Sequence, residues 1–353
     1  MSDPEPPGPP LLQRAHGGPA GTGRLRAQLE HFLVREELGF AADGSGDHVL
    51  LRVRKEATNT QWVARCLARQ ARVGERDVGY AGLKDRHAIA EQYFTVPVRH
   101  APLASWRDYA GDGFRVLDAA LTRRKLRRGA HRGNAFCVVV SELDADRERL
   151  EEILARIAAC GAPNYFGPQR FGRAGANLRT AWEWFNGQQV PGGRAARSFA
   201  LSAARAAIFN AVLAERVRAG TWNRLLAGDV ANLANSGSIF GVDSVDDALE
   251  RRCSELDLHP TGPLWGAGPL PVSGLVAELE ADAIRAYQPL AAGLVRGGLE
   301  QERRALRTAV QGLDWTLEGT QLRLEFKLPR GTFATAVVHE LIDDPDGAWP
   351  DAD

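Results

Sequence analysis

The spacing of apolar residues divides this 353-residue chain into three stretches. Residues 21–143 read mostly as strands. His48–Lys55 (HVLLRVRK) sets Val49, Leu51 and Val53 on one side and Arg52 and Arg54 on the other, the period-two pattern of a half-buried strand. Asn59 stands where an N-cap would, and the helix after it gathers Trp62, Val63, Cys66 and Leu67 on one face. Asp77–Leu83 reads as a short strand running into a loop. Gln92–Val98 reads as another, with Pro97 marking an edge or an end. Ala135–Val140 is an unbroken apolar run and predicts a strand buried on both faces. After Cys160 the period lengthens. Residues 161–300 are rich in Ala, Arg and Gly, and Ser198–Ala219 predicts a long amphipathic helix with Phe199, Leu201, Ile208, Val212 and Leu213 among its apolar positions. Alternation returns in Gln321–Lys327, where Leu322, Leu324 and Phe326 alternate with polar residues. The economical reading is an α+β protein: a strand-rich domain (21–159 plus 306–345) interrupted by a helical insertion (160–305). The ends read as tails, 1–20 disordered because it holds six Pro, and 346–353 acidic.

Composition narrows the class. With 44% hydrophobic and 25% charged residues the chain can bury a large core. No stretch approaches about 20 consecutive apolar residues, so no membrane span is expected. The start, MSDPEPPGPP, lacks the features of a signal peptide, which predicts a cytoplasmic protein. Cys66, Cys137, Cys160 and Cys253 form no CxxC pair and predict neither a zinc site nor a disulfide framework. Walker, dinucleotide, HExxH and GxSxG patterns are absent as well, so neither cofactor nor metal is expected.

Net charge is +0, but it is segregated. Residues 123–132 hold six Lys or Arg and no acid, whereas residues 340–353 hold six acids and no Lys or Arg. One basic face can exist on a neutral chain. Three segments carry candidate chemistry. Gly79–Ala88 (GYAGLKDRHA) sets Asp85 between Lys84 and Arg86 after a flexible glycine; nearby cations favour a carboxylate anion, the form that serves as nucleophile or base. A lone Asp in a turn is more often solvated or a cap. Pro163–Gly172 (PNYFGPQRFG) could clamp an RNA backbone and stack a base, or be an aromatic hinge. In Arg128–Phe136, Asn134 offers the donor and acceptor a uracil edge requires and Phe136 a stacking surface, but a polar hairpin turn leading Phe136 into the core explains the segment slightly better.

Taken together, GYAGLKDRHA, PNYFGPQRFG, RKLRRGAHRGNAF and the late RGTFATAVVHELI resemble, in collinear order from about residue 18 to 341, segments of the tRNA pseudouridine synthase D family. The resemblance implies a mainly antiparallel mixed-sheet catalytic domain, a helix-rich α/β insertion and an RNA cleft between them. It implies isomerisation of uridine to pseudouridine in tRNA at position 13, without cofactor or metal. Asp85 would be the nucleophile. Phe32, Asn134, Phe136 and Phe333 would line the pocket for a flipped-out uridine, and Arg26 would pair with Asp85, with Lys84 and Arg86 as competitors. Lys84, Arg86, Arg123, Arg124, Lys125, Arg127, Arg128, Arg170 and Arg173 are candidates for contacts to the RNA backbone. No dimerisation helix is evident, so a monomer is expected. The alternative reading is a tRNA-binding or RNA-folding protein without chemistry; a methyltransferase is disfavoured by the lack of a Gly-rich cofactor loop.

Overall fold

The structure, a computed structural model, describes residues 7–99, 101–234 and 236–345. The acidic tail expected at 346–353 lies outside them. Strand β1 (Gly21–Leu25) is followed by β2 (Phe32–Glu37), β3 (His48–Glu56), helix α1 (Thr60–Ala71), β4 (Gly79–Tyr80), β5 (Ile89–Pro97), β6 (Ala110–Gly111), β7 (Phe114–Thr122), β8 (Gly133–Ala145) and α2 (Arg147–Cys160). The middle of the chain supplies β9 (Ala162–Pro163), α3 (Ala176–Phe185), α4 (Gly193–Arg218), β10 (Val230–Leu233), β11 (Ile239–Gly241), α5 (Asp247–Ser254), β12 (Leu258–Leu264), α6 (Gly274–Ile284), α7 (Gln288–Arg296) and β13 (Glu302–Ala305). The chain ends with β14 (Arg307–Thr308), β15 (Gln311–Glu318), β16 (Gln321–Pro329), α8 (Ala334–Leu341) and β17 (Ile342–Asp343).

The fold is α+β with mainly antiparallel pairing. One large sheet runs β15-β16-β8-β2-β5-β3-β7-β6, with β1, β4 and β17 attached. It joins early strands to late ones: β16 pairs along β8 from Leu322↔Val140 to Pro329↔Gly133. Only β2–β5 and β1–β17 are parallel in it. The middle of the chain builds a second core around α4, with α3 and α7 against it, and a four-stranded sheet β11-β10-β12-β13. The β9–β14 pair closes the base of this unit, Arg307 opposite Pro163.

Ladder partners project to the same side of a sheet, so the register assigns the faces. Val49, Leu51 and Val53 of β3 and Phe94 of β5 meet Val63 and Leu67 of α1 at one end. Val138, Val140, Leu322 and Leu324 meet Leu150 and Leu154 of α2 and Val337 and Leu341 of α8 at the other. Between these apolar halves the same face is polar: Glu36 opposite Asn134, Gln92 opposite Val53, Lys55 opposite Ala90.

Three expectations change. β8 is not buried on both faces, because Ala135, Cys137 and Val139 stay half-exposed on the side without helices. Phe199 of α4 is an exposed apolar side chain. Within residues 7–20, the chain is not a loose tail but a strap fixed by long-range bonds. The Glu340 Oε2 accepts from the backbone of Ala15 at 2.8 Å and His16 at 3.1 Å, and Arg14 Nε donates to the His339 carbonyl at 2.6 Å. His16 is buried edge-on against Trp222, and Tyr287 Oη donates to the Gly8 carbonyl at 3.4 Å, so the strap touches both units.

Candidate active site

The segment 81–88 crosses the polar middle of the sheet face, and the side chains beneath it hold it there. Gln92 Nε2 donates to the Gly82 carbonyl at 2.6 Å. Thr60 Oγ1, at the start of α1, donates to Gln92 Oε1 at 3.0 Å and accepts from the Lys84 amide at 3.0 Å. Lys55, fully buried, donates from Nζ to the carbonyls of Thr58 and Asp85, each at 2.7 Å. Gly79 allows the approach, since a Cβ there would lie 2.4 Å from the Leu126 carbonyl oxygen.

This scaffold leaves the Asp85 carboxylate outward, its side chain 53% exposed, while its backbone is tethered from below. Arg26 Nη2 donates to Asp85 Oδ2 at 2.8 Å. Arg26 lies just past β1 in the left-handed region (φ 56°), and its guanidinium sits 4.0 Å above the Phe32 ring centroid. Phe32 is buried and meets Phe136 edge-on at 6.1 Å; Phe136 stacks on Phe326 at 5.6 Å. Asn134 is buried two residues along β8, and its Oδ1 has no hydrogen-bond partner. Phe32, Asn134 and Phe136 thus lie along the neighbouring strands β2 and β8, and Arg26 connects the Phe32 ring to Asp85. Phe333 stands at the cap of α8 and meets Phe166 of the second aromatic segment at 6.1 Å. That segment is pinned to α4 by buried Asn210, whose side chain accepts from the Phe166 amide at 2.9 Å and donates to its carbonyl at 2.8 Å.

The basic candidates separate. Lys84 differs from the others: its Nζ pairs with Glu36 Oε1 at 2.7 Å, the side chains 6% and 0% exposed, so the ammonium is buried in an ion pair. Arg86 Nε reaches the Ala57 carbonyl at 3.4 Å. Arg123 bonds Ser45, Lys125 bonds the Arg76 carbonyl, and Arg124 and Arg128 lie over Phe40 and Tyr80, all four exposed. Arg127 and Arg173 are exposed too. Arg170 is half-buried, 5.5 Å from the Phe166 centroid and bonded to Ser202 Oγ at 3.1 Å; burial lowers its pKa.

A cleft of about 620 Å³ opens between the two units. Arg132, Arg304, Arg307, Arg330, His131 and His259 line it, and no Asp or Glu does. Burial, then neighbouring Lys84, lowers the pKa of His131; burial, then Arg307, lowers that of His259 to about 4. His131 links the cleft to the loop that carries Asp85, because a Cβ on Gly82 would lie 3.5 Å from its Cε1. Among the described residues no cluster of three or more His, Cys, Asp or Glu is arranged to hold a metal ion. No helix there is long and apolar enough to cross a membrane.

Sequence reasoning passed over Lys55, Glu36 and the cleft arginines. Two of these had a signal: Lys55 continues the buried phase Val49-Leu51-Val53, and Glu36 the phase Phe32-Val34. A charge on the apolar phase of a strand needs a buried partner. Arg304 and Arg330 carried none, being far from the basic run in the chain.

The model of the family described as tRNA pseudouridine synthase D (TruD) matches residues 15–180 and 194–341. The chain belongs to this family. It is 44% identical to the tRNA pseudouridine synthase D of Nitrosococcus oceani over 333 residues, 93% of each chain. It is 43% identical to that of Methylococcus capsulatus over 350 residues, 99% of each. Its fold is that of the crystal structure of the putative tRNA pseudouridine synthase D from Methanosarcina mazei, with a TM-score of 0.74 over 95% of this chain and 97% of the other at 19% identity.

Proposed function

We propose that this chain converts a uridine of tRNA, at position 13, to pseudouridine with Asp85 as nucleophile and without a cofactor. The enzyme class follows from the family: a tRNA pseudouridine synthase, an isomerase. The observation that carries the residue assignment is the Asp85 carboxylate, exposed on a loop whose backbone is tied down by Lys55, Thr60 and Gln92, with Arg26 donating to it.

A uridine within folded RNA must leave its stack to be reached. The cation-lined cleft suits the backbone on either side, and the Phe32, Asn134 and Phe333 surfaces suit the base. Asn134 Oδ1, buried and unpartnered, matches a uracil N3–H. Asp85 then attacks the ribose C1′, displacing uracil, or adds to uracil C6. In either route the N1–C1′ bond breaks and the base turns. C5 bonds to C1′, the carboxylate is released, C5 loses its proton and N1 gains one. Substrate and product are isomers, so no oxidant or reductant is needed. Arg26 holds the carboxylate in line before attack and fixes its rotamer through the stack on Phe32.

The test is tritium release from a tRNA transcript labelled at uracil C5. Wild type is expected to release it, and Asp85→Asn to release none while binding the transcript as wild type does. Normal release by the Asn variant would reject Asp85. Binding without release by wild type would favour a non-catalytic RNA-binding protein.

A further inference from the structure

We infer that Arg304 is the phosphate-positioning residue of the flipped nucleotide, gripping one of the two phosphates that flank it beside Phe333. Arg304 lies at the end of β13, where the inserted unit returns to the large sheet. Its Nη2 donates to Asn164 Oδ1 at 2.6 Å and to the Asn164 carbonyl at 3.3 Å. Its guanidinium lies 4.2 Å from the Phe166 centroid, and Phe166 touches Phe333. The same plane is 5.3 Å from Phe209. Two aromatic rings and an amide therefore fix the direction of the fork.

Three observations point to an absent anion. Arg304 has no carboxylate partner among the described residues, and its Nε is buried without any hydrogen-bond acceptor. The other terminal nitrogen, Nη1, faces Gly331: a Cβ on that glycine would lie 3.8 Å from it, on the cleft wall two residues before Phe333. Finally, the charge that acts on Arg304 is another cation, Arg170. Burial and Arg170 together lower the Arg304 pKa to about 9, so the site disfavours its own charge until an anion enters. Nη2 is held by Asn164, and Nη1, turned to Gly331, is left to donate a charge-assisted hydrogen bond to a phosphate. The position beside the stacking ring makes the anion a phosphate next to the extruded base rather than one on the distant duplex.

This inference rests on the tRNA-modifying reading above, and binding is measured apart from turnover so that the two can fail separately. The probes are unmodified tRNA transcripts, one with all phosphates charged and two with a single neutral methylphosphonate, either 5′ or 3′ of the target uridine. The slope of log affinity against log salt is read for wild type, Arg304→Gln and Arg304→Lys, with thermal melting as the check on folding. Arg304→Gln should lower the slope by about one, and Arg304→Lys should retain it while losing turnover, since an ammonium lacks the planar group that the rings and Asn164 orient. One methylphosphonate transcript should lower the wild-type slope by about one and cause no further loss with Arg304→Gln. An unchanged slope in Arg304→Gln overturns the assignment, and so does additive loss on both neutral transcripts. Melting altered in both variants with unaltered slopes assigns Arg304 to holding the two units together and likewise overturns it. Should Asp85→Asn remain active, the slope result stands on its own.

Discussion

Lys84→Met removes one half of a buried ion pair beneath the candidate nucleophile. The pair is short, 2.7 Å, and its members are 6% and 0% exposed. Glu36 has one further partner, the Tyr93 amide, which donates to Oε2 at 3.0 Å. Without Lys84, a charged oxygen remains in the sheet centre with a single hydrogen bond. Breaking a buried pair from one side costs about 3–5 kcal/mol. At about 2–4 °C per kcal/mol for a unit of this size, the melting temperature should fall by roughly 6–20 °C. Glu36→Gln should also destabilise, because it strands the ammonium. The double variant Lys84→Met/Glu36→Gln should recover much of the loss, as the glutamine oxygen still accepts from Tyr93 and no charge is stranded. Thermal melting of the three variants without RNA forms a complete cycle. If the double variant's loss equals the sum of the single losses, the pair holds nothing together. The same proteins also test whether Lys84 contacts RNA: their salt slopes for tRNA binding should match wild type. A drop of about one on Lys84→Met would mean that the ammonium does reach a phosphate.

Arg26→Gln should reduce turnover far more than tRNA affinity, because the lost contact is to the carboxylate of the proposed nucleophile; equal losses in both would make Arg26 a binding residue. Arg127→Ala, at an exposed and unpaired position, should lower the salt slope by about one, whereas half-buried Arg170→Ala should change it less while weakening the Phe166 segment; equal slope changes would refute this ordering. Glu340 is raised by burial to about 7, its Oε1 without a partner. A carboxyl with a raised pKa contributes stability that is full below its unfolded value, about 4.3, and lost as pH rises through about 7. His16 and His339, lowered by burial, act in the opposite sense, losing stability as pH falls. Comparing Glu340→Gln with wild type removes their share: the variant should gain relative stability between about pH 4.5 and 7.5, read by melting at each pH. A constant difference across that range would remove Glu340 as the titrating group.

Much of the scaffold was readable because period two and period 3.6 are local. β3, α1, β16 and α4 fall where the apolar spacing sets them, with ends that coincide or shift by up to five residues. The misreadings came from properties that are not local. An apolar run such as Ala135–Val140 says that burial is tolerated on both sides of a strand, but only helix placement decides which side is covered, and here α2 and α8 cover one. Proline density in the first twenty residues disfavours helix and sheet, but it does not prevent an extended strap from being held by single hydrogen bonds to Glu340 and His339.

The site divides along the same line. The segment around Asp85 was legible because its charges are consecutive in the chain, and its partner Arg26 only through the family pattern. The cleft is different in kind. Its arginines come from residues 132, 304, 307 and 330, brought together by the β16–β8 ladder and the β9–β14 closure. A window along the chain sees Arg303 and Arg304 as one doublet, yet Arg303 is spent internally on buried Glu280 at 2.6 Å while Arg304 turns to the cleft. Adjacent strand residues point to opposite faces, so one basic doublet yields one structural cation and one available to a ligand. Acids meanwhile collect in the 243–257 segment at α5, and none of them lines the cleft. A formal charge of zero is therefore compatible with a lining that carries four arginines and no carboxylate, and it is this separation, rather than net charge, that suits the chain to a polyanion.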